Sequence, residues 1–312
     1  MNIIIRIQTQ LPVGYPLSTS ITYFELCSNL TEKDTAITWC QRLKLLPSSK
    51  LCSCGRGMHL VNRKGCSDGV TWRCPRKGCR KELSLRGGTF FEGSHLSLLS
   101  ILRIIHLWST KTPVGKTISE VQVTDHTAVD WYNFIRDICA QYFVDHPTVI
   151  GGPGTEVEID ESKFGRRKYN RGRIVDGHWV FGGMERLTGE CFLVEVEHRD
   201  AATLLPLIQQ YIRPGSVVYS DEWSAYNQLA TVAGCNHQTV NHSLHFVDPN
   251  TGAHTQGVES MWSCCKRMLR EERTMHSRLH DTYLPEFMWR RQFGGPLAFA
   301  NILKHISEQY PV

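Results

Sequence analysis

The chain has 312 residues, of which 41% are hydrophobic and 21% are charged, as is ordinary for a globular protein of one large domain or two. No apolar run approaches the ~20 residues that a transmembrane helix requires, so a membrane-spanning protein is excluded and no membrane partner is expected. The formal net charge of +5 permits a polyanionic partner. Because the apolar start at 3–5 is too short for a signal peptide, the twelve cysteines favour reduced thiols or metal ligands over disulfides.

Changes in composition and periodicity divide the chain into four predicted regions. These are an N-terminal helical segment (1–50), a cysteine-rich module (51–93), a helical region (94–150) and a strand-rich domain (151–312). In the first region, apolar residues at helical spacing predict a helix over 31–46. Three glycines and a proline at 151–154 mark the start of the last region.

Two close pairs of cysteines dominate the module at 51–93. Cys52 and Cys54 form a C-x-C pair, and after nineteen intervening residues Cys74 and Cys79 form a C-x4-C pair. Four thiolates on two tight turns are typical of a tetrahedral, structural Zn²⁺ site in a zinc-ribbon-like module. Because the spacing departs from the usual C-x-x-C, other arrangements stay open: Cys66 or His59 in place of one ligand, or unligated buried thiols.

Basic side chains surround the second cysteine pair. They are Arg73, Arg76, Lys77, Arg80, Lys81 and Arg86. Such a cluster favours contact with phosphate groups, and a solvated charged surface is the alternative.

The segment at 95–143 carries two apolar stripes at helical spacing, which predict two helices. An irregular break at 112–115 separates them. Two helices around a short break are compatible with a helix-turn-helix DNA-binding unit, and two packed helices without a DNA contact are the alternative. Lys111, Lys116 and Arg136 are candidate DNA contacts.

The last region has the pattern of a mixed α/β domain. Predicted strands lie at about 156–160, 178–187, 190–197 and 216–220, and predicted helices at about 201–212, 222–233, 257–272 and 296–309.

Three acidic residues of this region lie where catalytic carboxylates would be useful. Asp160 and Asp221 each end a predicted strand, and Glu259 opens a predicted helix. Divalent cations such as Mg²⁺ take oxygen ligands, and two ions about 3.5–4 Å apart can stabilise the attacking and leaving oxygens of an in-line displacement. Taken singly, each acid is more often a solvated or capping residue. Strand alternation also places Glu158 on the same side as Asp160.

The blocks around these acids resemble those of a known enzyme family. They are EIDESKFG at 158–165, YSDEWSAY at 219–226 and GVESMWS at 257–263, with SLRGGTFF at 84–91 upstream. In this order they resemble the catalytic blocks of Merlin-type DDE transposases and of related bacterial insertion-sequence transposases. The resemblance covers about 50–295.

The resemblance implies an RNase H-like mixed sheet flanked by helices, preceded by the zinc-ribbon-like module and the helix-turn-helix-like region. It implies that Asp160, Asp221 and Glu259 hold two Mg²⁺ or Mn²⁺ ions. The implied activity is cleavage and transfer of strands of double-stranded DNA at terminal inverted repeats. A homo-oligomer is expected, as is a nuclear location if the source is eukaryotic.

Basic residues near the acids are candidate contacts for DNA phosphates. They are Lys163, Arg166, Arg167, Lys168, Arg171 and Arg173 after the first acid, and Lys266 and Arg270 on the helix of the third. A solvated charged loop is the alternative for the first group. Trp262 is expected to pack in the core, and His242 is either a proton carrier or a structural histidine.

Two other functions stay open. A domesticated zinc-containing protein would bind DNA without cutting it, although the intact set of three acids argues against this. An RNase H-like nuclease would cut DNA without preferring repeat ends and without joining strands.

Overall fold

The computed structural model describes residues 20–165, 177–240, 254–272 and 280–312. The chain divides into two compact units, one of Met1–Ile138 together with Phe293–Val312 and one of Cys139–Gln292. Among the described helices, none is both long and apolar enough to cross a membrane.

The first unit begins with two short helices, α1 (Tyr23–Asn29) and α2 (Lys33–Arg42). Thr22 caps α1, because its side-chain oxygen accepts a hydrogen bond from the backbone N–H of Glu25 and the Glu25 carboxylate accepts one from the backbone N–H of Thr22. Helix α2 confirms the core of the helix predicted over 31–46. Helix α1 was not predicted, since its seven residues are too few to show a periodic apolar face.

The cysteine-rich module folds as a three-stranded antiparallel sheet. Its strands are β1 (His59–Asn62), β2 (Val70–Arg73) and β3 (Glu82–Ser84), in the order β1-β2-β3. The turns that carry the cysteine pairs contain Gly55 and Gly78, both at positive φ, where a side chain would be strained. The sheet thus brings the two turns of a zinc-ribbon-like module together.

Arg86 is not available to DNA, which corrects its predicted place among the phosphate contacts. Its side chain is 4% exposed, its Nε donates to Asp68 Oδ2 at 2.7 Å, and its Nη1 donates to the carbonyl oxygen of Ser94 at 3.1 Å. The guanidinium is therefore one half of a buried ion pair that joins the turn after β3 to the chain before β2.

Arg86→Ala is expected to lower the free energy of unfolding by about 3–5 kcal/mol, because it leaves the Asp68 carboxylate buried without its partner. Urea denaturation measures the change. Lys304→Ala is the control: Lys304 pairs with Glu308 at 3.7 Å with both side chains more than half exposed, so its loss should cost no more than about 1 kcal/mol. Equal effects of the two variants would contradict the burial argument.

Three helices follow: α3 (Leu98–Ser109), α4 (Val114–Val121) and α5 (Asp125–Asp145). The predicted break at 112–115 is wrong in one respect, because α4 begins inside it, directly after Pro113. A proline before the first turn loses no helical hydrogen bond. Lys111 and Lys116 are exposed, whereas Arg136 is 3% exposed and donates to Asn133, so the prediction of Arg136 as a DNA contact is wrong.

The second unit is built on a five-stranded mixed sheet. Its strands are β4 (Glu156–Phe164), β5 (His178–Glu185), β6 (Cys191–Val196), β7 (Val217–Asp221) and β8 (Asn236–Val240), in the order β6-β5-β4-β7-β8. Strands β4, β5 and β6 pair antiparallel, and β7 pairs parallel with both β4 and β8. This is the strand order of the RNase H-like fold, so the predicted fold class is confirmed.

Helices flank this sheet. They are α6 (Ala201–Tyr211), α7 (Leu229–Ala233), α8 (Gln256–Glu271) and α9 (His280–Phe293). The helix predicted at 222–233 is divided into a 3-10 turn, Ser224–Tyr226, and α7. A core of fully buried side chains from the sheet and from these helices, including Ile159, Phe181, Val218, Val258 and Leu269, holds the unit together.

The last helix, α10 (Ala298–Gln309), belongs to the first unit, although the predicted domain boundary of 151–312 placed it with the sheet. Its Phe299 ring lies 4.9 Å from the ring of His106 on α3, and Gln309 donates to the carbonyl oxygen of Ile138 at 2.8 Å. Aromatic packing on α3 therefore fixes this segment. That the module and the helical region act as separate DNA-binding domains stays a prediction.

Candidate active site

Asp160 and Asp221 lie on adjacent parallel strands, β4 and β7. Glu158 pairs with Tyr219 in the register of these strands, and two residues further the same register places Asp160 beside Asp221. The two carboxylates interact electrostatically. The structure therefore brings the two aspartates together. Asp221 ends β7 as predicted, whereas the prediction that Asp160 ends its strand is wrong, because β4 continues to Phe164.

The carboxyl group of Asp160 is hard to ionise. Burial raises its pKa to about 7, with further contributions from the neighbouring carboxylates of Glu161 and Asp221. The indole N–H of Trp262 donates to Asp160 Oδ2 at 3.1 Å and partly offsets this effect. Burial and the neighbouring carboxylates thus disfavour the ionised form of Asp160, and a bound cation would offset both effects.

Glu161 and Tyr226 form a second polar contact beside the aspartates. The Tyr226 hydroxyl donates to Glu161 Oε1, and Tyr226 is almost fully buried. Burial raises the pKa of Glu161, and the Asp221 carboxylate adds to the effect. Glu161 is therefore a fourth acid that contributes to the electrostatic field at the site.

Glu158 anchors helix α8, and its role therefore differs from that of Asp160. It is 1% exposed, its Oε2 accepts from the backbone N–H of Val258 at 2.8 Å, and its Oε1 accepts from Arg186 Nε at 2.7 Å. Arg186 also donates to Glu156 and to the carbonyl oxygen of His254. Both Glu158 oxygens are thus occupied by structural donors, one of them at the positive end of a helix.

Helix α8 lies along β4 and carries the third predicted acid. Glu259 follows the residue anchored by Glu158, and its side chain is exposed. Further along the helix, Trp262 contacts Asp160, and Lys266 Nζ donates to Ser162 Oγ at 2.5 Å. Trp262 is buried in the core, as predicted, and Glu259 lies about one turn before it on the exposed side of the same helix.

The predicted basic contacts fall into two groups. Lys266 is half-buried, and its Nζ also lies 5.2 Å from the centroid of the Phe164 ring. Burial lowers the pKa of Lys266. Arg270, by contrast, is exposed. Lys163 Nζ lies 5.5 Å from the ring centroid of Trp179. The predicted residues that lie outside the described ranges are Arg166, Arg167, Lys168, Arg171, Arg173 and His242.

The four predicted cysteine ligands meet in one cluster. The Sγ atoms of Cys52 and Cys79 are 3.6 Å apart, as are those of Cys54 and Cys74, and all four lie within 4.8 Å of one another. Four sulfur atoms around zinc at about 2.3 Å lie about 3.8 Å apart, so the cluster could hold such an ion. Cys66 lies outside it and donates instead to the carbonyl oxygens of Arg63 and Val70.

Within the described residues, no comparable cluster joins all three acids, since their oxygens do not all lie within 4.8 Å of one another. A single ion therefore could not bind Asp160, Asp221 and Glu259 together as they stand.

The second unit matches a family of mobile-element enzymes. The model of the ISXO2-like transposase domain matches residues 151–292, a segment that contains all three acids. An uncharacterised transposase-like protein of Haemophilus influenzae is 32% identical over 99 residues, which are 32% of this chain and 78% of that protein. The chain belongs to the insertion-sequence transposases. The resemblance to Merlin-type transposases and their bacterial relatives is thereby confirmed at the level of the family.

Solved structures similar to this transposase are those of retroviral integrases. The catalytic core domain of HTLV-2 integrase, solved with magnesium in a dimeric form, is 13% identical, with a TM-score of 0.30 over 44% of this chain and 86% of that one. The intasome of simian T-cell lymphotropic virus with a PP2A regulatory subunit is 16% identical, with a TM-score of 0.32 over 60% of this chain and 67% of that one.

Sequence reasoning missed the side chains that support the transposase's acids. Arg186 is 28 positions from Glu158, and Tyr226 is 65 positions from Glu161. A single sequence carries no signal for such pairs, because neither periodicity nor a local motif links them. The alternation of β4 indicated only that Glu158 and Asp160 share a side.

Gly257→Ala is expected to displace the start of α8 and to destabilise the protein by about 1–3 kcal/mol. A Cβ atom at this position would lie 2.5 Å from Met184 Cε and 2.9 Å from Glu158 Oε2. Gly115→Ala is the control, since Gly115 lies in α4 with no atom within 4 Å of such a Cβ, and alanine there should be neutral or stabilising by up to about 1 kcal/mol. Urea denaturation compares them, and a neutral Gly257→Ala would show that the contact with Glu158 is loose.

Proposed function

We propose that this transposase cleaves DNA strands at the terminal inverted repeats of a mobile element and transfers the freed ends to target DNA. Asp160, Asp221 and Glu259 are the proposed catalytic residues. The observation that carries the proposal is the pair of neighbouring, mutually repelling carboxylates of Asp160, in the middle of β4, and Asp221, at the end of β7, beside the helix that bears Glu259.

The donor set of this site fits divalent metal ions. Mg²⁺ and Mn²⁺ take carboxylate oxygens, and Asp160, Asp221 and Glu259 would hold two such ions. Bound there, they would activate the attacking water or 3′-hydroxyl and stabilise the leaving oxygen. The carboxylates of the three acids lie too far apart to bind one ion together. This separation is compatible with two ions, each bound by some of the three acids.

The chain's own residues prepare this site. The Trp262 indole fixes Asp160 Oδ2. The ion pair of Glu158 and Arg186 fixes the first turn of α8. It thereby sets the position of Glu259 along the direction of β4. Burial raises the pKa of Asp160 to about 7, so a cation held there would favour the ionised form of this carboxyl group.

Double-stranded DNA is the proposed partner. Lys163, Lys266, Arg270 and the basic residues between 166 and 173 would contact its phosphates, so affinity should fall steeply with salt. The four-cysteine cluster would hold a structural Zn²⁺ ion in a module that helps to bind the DNA. Because two DNA ends must be joined, we expect at least two copies of the chain to act together. We also expect a nuclear location if the source is eukaryotic.

The test uses DNA that carries the element's ends, identified as inverted repeats bracketed by short duplicated target sites. Purified full-length protein is incubated with this DNA and with Mg²⁺ or Mn²⁺. Nicking at the repeat boundary followed by joined products is expected. DNA binding without nicking under either ion would indicate a domesticated DNA-binding protein. Cleavage without preference for repeat ends, and without joining, would indicate a nuclease.

A further inference from the structure

An arginine lies between two tryptophans in the second unit. The Arg199 guanidinium carbon is 3.8 Å from the ring centroid of Trp179 and 5.0 Å from that of Trp223. We refer to Trp179, Arg199 and Trp223 as the Trp–Arg–Trp stack. Neither the predicted acids nor the predicted basic residues include any of its members.

Trp223 is both exposed and held in place. Its side chain is 40% exposed. Its indole N–H donates to the carbonyl oxygen of Arg199 at 3.0 Å, and its backbone N–H donates to Asp221 Oδ1 at 3.1 Å. A singly exposed aromatic ring needs no explanation by itself. This residue, however, is held through its indole N–H by the backbone of Arg199 and through its backbone N–H by Asp221, a proposed catalytic acid.

The ring of Trp223 lines an open pocket of about 430 Å³, within the size range of small-ligand sites. The other lining residues are Arg199, Asp200, Ala201, Ser224 and Ala225. Hydrogen bonds from the side chain and the backbone of Thr203 lower the pKa of Asp200, so its carboxylate stays ionised. The pocket thus has an aromatic wall and one lining residue of each charge, Arg199 and Asp200, an arrangement that suits a flat, neutral ring.

We propose that Trp223 binds an unpaired nucleobase of the DNA, stacked on its open face beside Asp221. The base would extend the Trp–Arg–Trp stack by one layer. This inference rests on the proposed function only in taking DNA as the substrate. Stacking on an aromatic ring is available to every base, and an enzyme that acts on a strand beside its active site gains access by holding a neighbouring base out of the duplex.

The experiment measures binding without metal and without cleavage. Fluorescence anisotropy in EDTA, at one fixed salt concentration, follows a labelled oligothymidylate and an abasic strand of the same length. Four full-length proteins are compared: wild type, Trp223→Ala, Trp223→Phe and Leu187→Ala. Leu187 is the control because it is an apolar residue of the same unit, 92% exposed, in the turn between β5 and β6. Thermal unfolding by circular dichroism checks that each variant is folded.

Trp223→Ala is expected to weaken binding of the oligothymidylate roughly tenfold, within a range of about five- to a hundredfold. Binding of the abasic strand should not change, Trp223→Phe should retain most of the affinity, and Leu187→Ala should match wild type. Equal weakening on both strands, no weakening on either, or failure of wild type to prefer the oligothymidylate would overturn the proposal. Because no cleavage is measured, absence of metal-dependent nicking would refute the proposed function without touching this result.

Discussion

Asp160→Asn is expected to abolish metal-dependent strand cleavage while leaving the protein folded. The amide has the shape of the carboxyl group and can still accept from Trp262, but it cannot supply the negative charge that holds a divalent ion. Loss of several kcal/mol of transition-state stabilisation corresponds to roughly a thousandfold or more in rate. Quantified nicking of end-bearing DNA, with Mg²⁺ in one series and Mn²⁺ in another, measures the effect.

The same substitution is expected to stabilise the metal-free protein at alkaline pH. Folding raises the pKa of Asp160 from its ordinary value of 3.8 to about 7, so the folded state binds the proton more tightly than the unfolded state does. The stability of the wild type therefore falls as pH rises from about 4 to about 7. The amide of the variant does not titrate, so Asp160→Asn should gain up to about 4 kcal/mol over wild type above pH 7. Urea denaturation in EDTA at both ends of this range tests the sign.

Asp145→Asn is the matched control, because Asp145 is an exposed aspartate at the end of α5 that accepts a hydrogen bond from Gln141. It removes the same charge in the same unit and should change neither nicking nor the pH dependence of stability. If Asp160→Asn cleaves DNA at the wild-type rate, the proposed site is refuted. If it loses cleavage and is also less stable than wild type at alkaline pH, the loss reflects misfolding rather than chemistry.

The sequence could predict those strands and helices whose apolar residues follow a clear pattern. Strand β4 alternates, β7 is a short apolar run, and α8 places Trp262, Cys265 and Leu269 on one buried face. Strand β8 and helix α9 were missed for physical reasons. Most of β8 is polar and only partly buried, and α9 contains Pro285, which ordinarily argues against a helix interior.

The candidate site likewise has a part that the sequence could predict and a part that it could not. Local blocks around Asp160, Asp221 and Glu259 were enough to select three acids, and the sheet order explains why two of them meet. The choice between Glu158 and Asp160 could not be made from alternation, because both point to one side. The structure favours Asp160, because Arg186 and the first turn of α8 occupy the Glu158 oxygens, whereas burial and neighbouring carboxylates raise the pKa of Asp160.

The cysteine cluster is expected to hold one zinc ion per chain, which Cys74→Ala should remove. Four sulfur atoms that can converge on one ion form the centre of a module with three short strands. Zinc contributes about 10–16 kcal/mol to the folding of comparable small modules. Loss of the ion should therefore unfold the module while the RNase H-like unit stays intact. Metal analysis of the purified protein measures zinc, and limited proteolysis locates new cleavage within 51–93.

Cys66→Ala is the control that separates the four-cysteine set from the alternative in which Cys66 replaces one of the ligands. Cys66 belongs to the same module, and its thiol donates to two backbone carbonyl oxygens rather than joining the cluster. Its substitution should leave the zinc content and the protease resistance of the module unchanged. Retention of zinc by Cys74→Ala together with its loss from Cys66→Ala would reverse the assignment. Protease resistance of the wild-type module after complete chelation would instead show that its sheet is stable without the ion.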